Sequence, residues 1–350
     1  MSHLDKIHDF LGERGLSYLD PMAESLARSE LGATDAEIGE YFGHGPLWPW
    51  LNDPKVTEIL VNGPAEIWIE RSGSLLRANA AFTGEDSLKR YVRRILSAQS
   101  RKVDPRDPFA DIVIEEGIRF HVAVPPVCKK GVCLSIRKPP REPWSLADLE
   151  AAGAMSGGER SLLQLHVAER KNIFVSGGTS SGKTSMLSAL LACVSEKERI
   201  LALEDIAELR VRHPHFLSLE ARPANQEGEG GIHLARLLRE ALRMRPDRIV
   251  IGECRGAEAM DLLLALNSGH HGSMGTIHAN SPRDALHRLE TLALLAAGNL
   301  GERAIRGLVL SAVNIVVHLE RSSGVRKISS IAEVKGWDGG NFLLRELKPS

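Results

Sequence analysis

The chain has 350 residues, 43% of them hydrophobic and 25% charged, with a formal net charge of −1. This composition excludes an intrinsically disordered protein, and the even charge balance argues against one that grips nucleic acid through bulk charge. No run approaches the ~20 apolar residues a bilayer-spanning helix needs. The most apolar candidate, Ile305–Leu319, is broken by Arg306, Asn314 and His318. The N-terminus carries no basic-then-apolar leader pattern, so the expected location is the cytoplasm, with membrane contact only through a partner. Four cysteines, at 128, 133, 193 and 254, complete no zinc spacing and read as reduced thiols.

In chain order, residues 1–50 read as a short helical extension. Leu4, Ile7, Phe10 and Leu11 share a helical face, and Thr34 with Glu37 opens another helix. Residues 51–138 read as a small α+β domain. Ile67-Trp68-Ile69 is a half-buried strand, and Ser87–Ser100 is an amphipathic helix carrying Leu88, Tyr91, Val92, Ile95 and Leu96. Ile112–Ile114 and Ile118–Val124 form a hairpin about Glu116-Gly117. Arg119 and, on a further strand, Arg137 occupy the polar faces. Residues 139–144 are a stiff proline-rich linker. From 145 to 350, after a Ser145/Asp148 cap, helices alternate with short apolar strands at 173–175, 200–203, 249–251, 275–277, 315–319 and 331–334. That alternation predicts an α/β domain on a largely parallel sheet. Asn225–Gly231 is a Gly/Glu-rich loop.

Between the strand Ile173-Phe174-Val175 and a helix bearing Met186, Leu187, Leu190 and Leu191 lies Gly177-Gly178-Thr179-Ser180-Ser181-Gly182-Lys183-Thr184. This is the phosphate-binding pattern G-x-x-x-x-G-K-[ST] in the strand–loop–helix context that it requires. The loop amides, continuing to Ser185, would surround a nucleoside triphosphate. Lys183 would reach the outer phosphates, and Thr184 would place its hydroxyl on Mg²⁺. ATP and Mg²⁺ are therefore the expected ligands.

Ligands of doubly wound sheets bind beyond the carboxyl ends of the strands, which directs attention to Glu204, Asp205 and Glu208 after one strand and Glu253 after another. Hydrolysis needs one carboxylate to orient water and another to hold the metal's water shell. Glu204 and Glu253 fit both needs, and the sequence does not divide the roles between them. An aspartate is absent where a Walker B strand usually has one, and Gly252 stands there. His270, His271 and His278 lie in a segment of small residues. His278 reads as a phosphate sensor, with a structural histidine as the alternative. Arg236, Arg239 and Arg243, at i, i+3 and i+7, form either a solvated helical stripe or a source of an arginine finger.

Taken together, these segments resemble the type II/type IV secretion ATPases, and within them the assembly ATPase of the tight-adherence (Tad) type IV pilus, over residues 51–345. The phosphate loop is followed by an aspartate box at Leu203–Leu209, an atypical Walker B at Leu242–Glu253 and a histidine box at Gly269–Asn280. The resemblance implies a RecA-like P-loop motor domain linked to a smaller PAS-like N-terminal domain, assembled as a homo-hexamer. It also implies a motor acting on inner-membrane platform proteins from the cytoplasmic side. Arg119 and Arg137 match N-domain arginines that reach toward the phosphates. His271 stands where relatives usually carry an acid, and the four-cysteine metal module of the type II branch is absent. The alternatives are a DNA-transport ATPase of a conjugative system and a non-hydrolysing, nucleotide-gated scaffold.

Overall fold

The computed structural model describes residues 3–18, 20, 22–114, 117–139, 142–222, 229–322 and 325–348. Glu116 of the expected hairpin turn, residues 140–141 of the linker and residues 225–228 of the Gly/Glu-rich loop lie outside them. The chain divides into two compact units, Met1–Arg141 and Glu142–Ser350.

The first unit opens with helices α1 (His3–Glu13), α2 (Ala23–Leu31) and α3 (Asp35–Phe42), a 3₁₀ turn at Gly45–Leu47, and α4 (Trp48–Asn52). Leu4, Ile7, Phe10 and Leu11 form a small core with Ala23, Ala27 and Ile38, as their spacing predicts. Thr34 and Glu37 close a reciprocal capping box at the start of α3. Strands β1 (Val56–Asn62), β2 (Ile67–Arg71) and β3 (Ser74–Arg77) precede α5 (Glu85–Ser97). β4 (Phe109–Val113), β5 (Arg119–Ala123) and β6 (Cys133–Arg137) follow it. The six strands lie in the order β3-β2-β1-β6-β5-β4, antiparallel throughout. The apolar stripe of α5 packs with Ile59, Val61, Ile67, Phe120 and Val122 of the sheet. Glu40 ties the helical extension to this layer: its carboxylate accepts bonds from the amide and hydroxyl of Thr83, both at 2.8 Å.

The second unit runs α6 (Leu146–Ala151), α7 (Gly157–Ala168), β7 (Ile173–Gly177), α8 (Lys183–Leu191), β8 (Ile200–Glu204), β9 (Phe216–Glu220) and α9 (Leu234–Ala241). It continues with β10 (Arg248–Cys254), α10 (Glu258–Asn267), β11 (Met274–His278), α11 (Pro282–Ala296), α12 (Glu302–Ala312), β12 (Ile315–Ser322), β13 (Val325–Trp337) and β14 (Phe342–Glu346). Its eight-stranded sheet has the order β14-β13-β12-β7-β11-β10-β8-β9. The run from β12 to β9 is parallel. β13 and β14 are added antiparallel. Alternate residues of one strand serve opposite layers: Phe174, Leu201, Leu203, Ile249 and Ile251 join one core, and Ile173, Val175, Ile200, Ala202 and Val250 the other. Burial on both faces is why these strands read as short unbroken apolar runs. The apolar stretch 305–319 is no single element, because it divides between α12 and β12. Among the described residues, no helix is long and apolar enough to cross a membrane.

A candidate nucleotide site at the carboxyl edge of the sheet

The phosphate loop leaves the end of β7 and enters α8. Gly177 is buried, and a Cβ there would meet the Leu319 carbonyl oxygen at 2.5 Å and Ser181 Oγ at 2.6 Å. Gly182 sits at φ 95° as the residue preceding α8, and Ser180 at φ 56°. Left-handed backbone at two nearby positions bends the loop into an anion-binding cradle. Helix α8 points into that cradle its amino end, where backbone amides have no intrahelical acceptor and the positive end of the dipole lies. Lys183 donates to the carbonyl oxygens of Gly177 (3.1 Å) and Gly178 (2.8 Å), so its ammonium lies across the mouth of the loop. Ser181 Oγ is buried and has no hydrogen-bond partner among the described residues. A polyphosphate fits this donor set. Thr184, in the first turn of α8, is the residue that would hold Mg²⁺.

Strand register assembles the remaining residues. His278, partly buried at the end of β11, is the parallel partner of Gly177, and Leu319 of β12 is its partner on the other side. β8 and β10 pair Leu203 with Ile251, which sets Glu204 beside Gly252. This explains the missing Walker B aspartate. A Cβ on Gly252 would lie 2.9 Å from Glu204 Cγ, so the space a side chain needs there is already filled by the neighbouring strand's glutamate.

Glu204 is only 2% exposed. Its Oε1 accepts from the amides of Glu208 (2.9 Å) and Leu209 (2.8 Å), and its Oε2 from Ser218 Oγ on β9 (2.8 Å). Burial pushes its pKa upward, and these three donors oppose that shift by favouring the ionised form. Glu253 is more open. The β10–β11 register slips between Ile251 and Cys254, and Thr276 Oγ1 fixes the bulge by donating to the Gly252 carbonyl at 2.6 Å. A bulge re-aims side chains at a strand end, here turning Glu253 out of the ladder to an ion pair with Arg255. Glu258 Oε1 then accepts from the amides of Arg255 and Gly256 (2.6 and 2.8 Å), fixing the turn into α10. Ser218 and Thr276 were invisible to motif reading, since nothing in sequence marks a hydroxyl on a neighbouring strand as a carboxylate's partner.

Other expected residues lie elsewhere. Arg119 and Arg137 are direct cross-strand partners on β5 and β6 of the first unit, so that unit presents two arginines side by side. The predicted arginine stripe does not form as one helical face: α9 ends at Ala241, and Arg243 lies beyond it. Arg239 is exposed and pairs with Asp261 of α10 at 3.4 Å. Arg248, at the start of β10, is 1% exposed and structural. It binds Glu198 (2.8 and 3.0 Å) and the carbonyls of Val167 (3.0 Å) and Gly272 (3.2 Å). His270 and His271 precede β11 and so lie at the opposite edge of the sheet from His278. There His270 Nδ1 contacts the Ala265 carbonyl at 3.1 Å, and His271 lines an open cleft with Arg170, Lys171 and Asn314. Those two therefore do not share the sheet edge that carries the phosphate loop. Among the described residues, no cluster of His, Cys, Asp and Glu has the form of a metal site, and the four cysteines are free.

Residues 40–334 match the family of type II/IV secretion system proteins. The chain belongs to that family. It is 40% identical over 307 residues to a putative conjugal transfer protein of Mycobacterium tuberculosis, covering 86% of this chain and 87% of the relative. It is 33% identical to the type IV secretion system protein PtlH of Bordetella pertussis, covering 88% of this chain and 98% of PtlH. With the type IV secretion system protein VirB11 of Bartonella quintana it shares 30% identity over 82% of this chain and 90% of VirB11. The fold is that of known secretion ATPases. The DotB ATPase of Yersinia pseudotuberculosis superposes with a TM-score of 0.57 at 18% identity, over 81% of this chain and 76% of that one. The ADP-bound pilus retraction motor PilT gives 0.55 at 20% identity, over 87% and 82%. The α/β architecture expected from sequence, a RecA-like domain with a smaller amino-terminal one, is therefore the observed one.

Proposed function

We propose that this family member is an ATP-hydrolysing motor of a type IV-class secretion machine. The observation that carries the reading is the convergence of the phosphate loop, Glu204, Glu253 and His278 on one edge of one sheet, at adjacent strand ends. In this account the amides of Gly177–Ser185 and Lys183 bind the phosphates. Thr184, Glu204 and Glu253 are the residues that would hold Mg²⁺, which when bound would supply positive charge to the transferred phosphoryl group. Glu253, the more open carboxylate at a bulge, orients and deprotonates the attacking water. Glu204 is held in one orientation by three donors and completes the polar wall around the metal's water shell. His278, level with the first glycine of the loop, detects whether the outer phosphate is present. By the sequence resemblance Arg119 and Arg137 are further cations for the phosphates, and Arg239 is the surface candidate for action on a neighbour's nucleotide.

The machine is the finer part of the proposal. The names of the relatives support conjugal transfer or type IV secretion, and the sequence resemblance supports pilus assembly of the Tad type. In each case the proposed motor is a cytoplasmic homo-hexamer, peripheral at the inner membrane and working on platform proteins. The formal charge of −1 favours a protein cargo over direct DNA binding. Phosphate release from Mg·ATP by the purified chain, with and without duplex DNA, tests this. Turnover that DNA leaves unchanged is expected. Strong, salt-sensitive stimulation by DNA would move the chain to the DNA-transport class, and absence of turnover would leave a nucleotide-gated scaffold.

A further inference from the structure

The phosphate loop has a second flank. All of the acids and His278 come from β8, β10 and β11, on one side of β7, whereas β12 lies on the other. β12 pairs Leu319 with Gly177 and then continues through Glu320, Arg321 and Ser322, past the level at which the loop begins. The chain returns as β13, where Arg326 stands directly opposite Arg321. Cross-strand partners share a face, so this hairpin carries two arginines side by side next to the loop. Arg326 leans onto the loop itself. Its Nε donates to the Ser180 carbonyl at 2.9 Å, and its Cδ lies 3.4 Å from where a Cβ on Gly182 would be.

Geometry assigns this flank a ligand. The bond to be cleaved must face the acids, and the amino end of α8 fixes the phosphates between the two sides. The remainder of the nucleotide, its ribose and purine, must then leave the loop on the β12–β13 side. We infer that Arg326 is a nucleoside-binding residue, its guanidinium plate stacking on the purine while its Nε stays on Ser180. A planar, weakly hydrated cation suits the face of an aromatic ring, and the bond to the loop orders the side chain beforehand. This inference rests on the reading of the loop as an ATP site.

Calorimetric titration of the full chain with two probes, Mg·ATP and Mg·tripolyphosphate, tests it. The second probe offers the same phosphates without a nucleoside. Arg326→Ala is expected to weaken Mg·ATP about tenfold and to leave tripolyphosphate within about twofold. Arg326→Gln retains a donor for the Ser180 carbonyl and removes the charged plate. It should show the same selective loss, which guards against a folding defect in the alanine variant. Equal weakening of both probes would make Arg326 a support of the loop and overturn the assignment, as would no weakening of either. A wild-type chain that binds neither probe would instead overturn the ATP-site reading on which the assignment depends.

Discussion

At the scale of single residues, the site is organised around one exchange of space. Glu204 fills the volume that an aspartate at position 252 would need, so this edge carries its acids on two strands rather than stacking them on one. Restoring the usual residue should therefore fail. Gly252→Asp, and even Gly252→Ala, should cost about 2 kcal/mol from overpacking and reduce turnover at least tenfold, read by urea denaturation and phosphate release. The Ser218 hydroxyl makes a separate prediction. Burial already raises the Glu204 pKa, and Ser218 opposes that by donating to the ionised form. Ser218→Ala removes the opposition, so the pKa rises further. The acid limb of the kcat–pH profile should move to higher pH while the plateau near pH 8 changes little. An unshifted limb, or a loss of activity uniform across pH, would show that Ser218 does not set the state of Glu204.

At the scale of elements, the interior parallel strands were legible because each is buried on both faces and so forms an apolar run. β7, β8, β10 and β11 all lie where such runs predict them. β9 and β14 were missed because edge strands keep one solvated face and mix polar residues into a short segment. β13 was read only at 331–334, because its first half is Val325-Arg326-Lys327-Ile328-Ser329-Ser330, polar and charged at the end nearest the phosphate loop. The same limit hid Arg326, whose relevance is fixed by strand pairing and by no local pattern. The loop, both acids and His278 were readable from sequence because each directly follows or ends a recognisable strand. Arg248 is a cation that no local sequence pattern marks as buried, yet it is held against Glu198. Arg248→Met leaves that carboxylate without its main partner and should destabilise the second unit by about 3–5 kcal/mol in urea denaturation. Adding Glu198→Met should recover part of the loss. Equal stability of wild type and single variant would refute the structural role given to Arg248.

For the whole molecule, the exposed Arg239 is a cation whose proposed use requires more than one chain. A motor working by sequential firing needs a closed ring, in which each interface presents the same surfaces. Native mass measurement with Mg²⁺ and a non-hydrolysable ATP analogue should give six chains. A monomer under all nucleotide conditions would leave Arg239 with no neighbour to act upon. The central claim, that the loop holds ATP while a carboxylate from the next strand ends directs its hydrolysis, is tested most directly by one paired measurement on Glu253→Gln. Mg·ATP affinity and single-turnover phosphate release are followed on the same protein. The account predicts affinity within about threefold of wild type and release slowed by at least about a hundredfold. Release at the wild-type rate would contradict it.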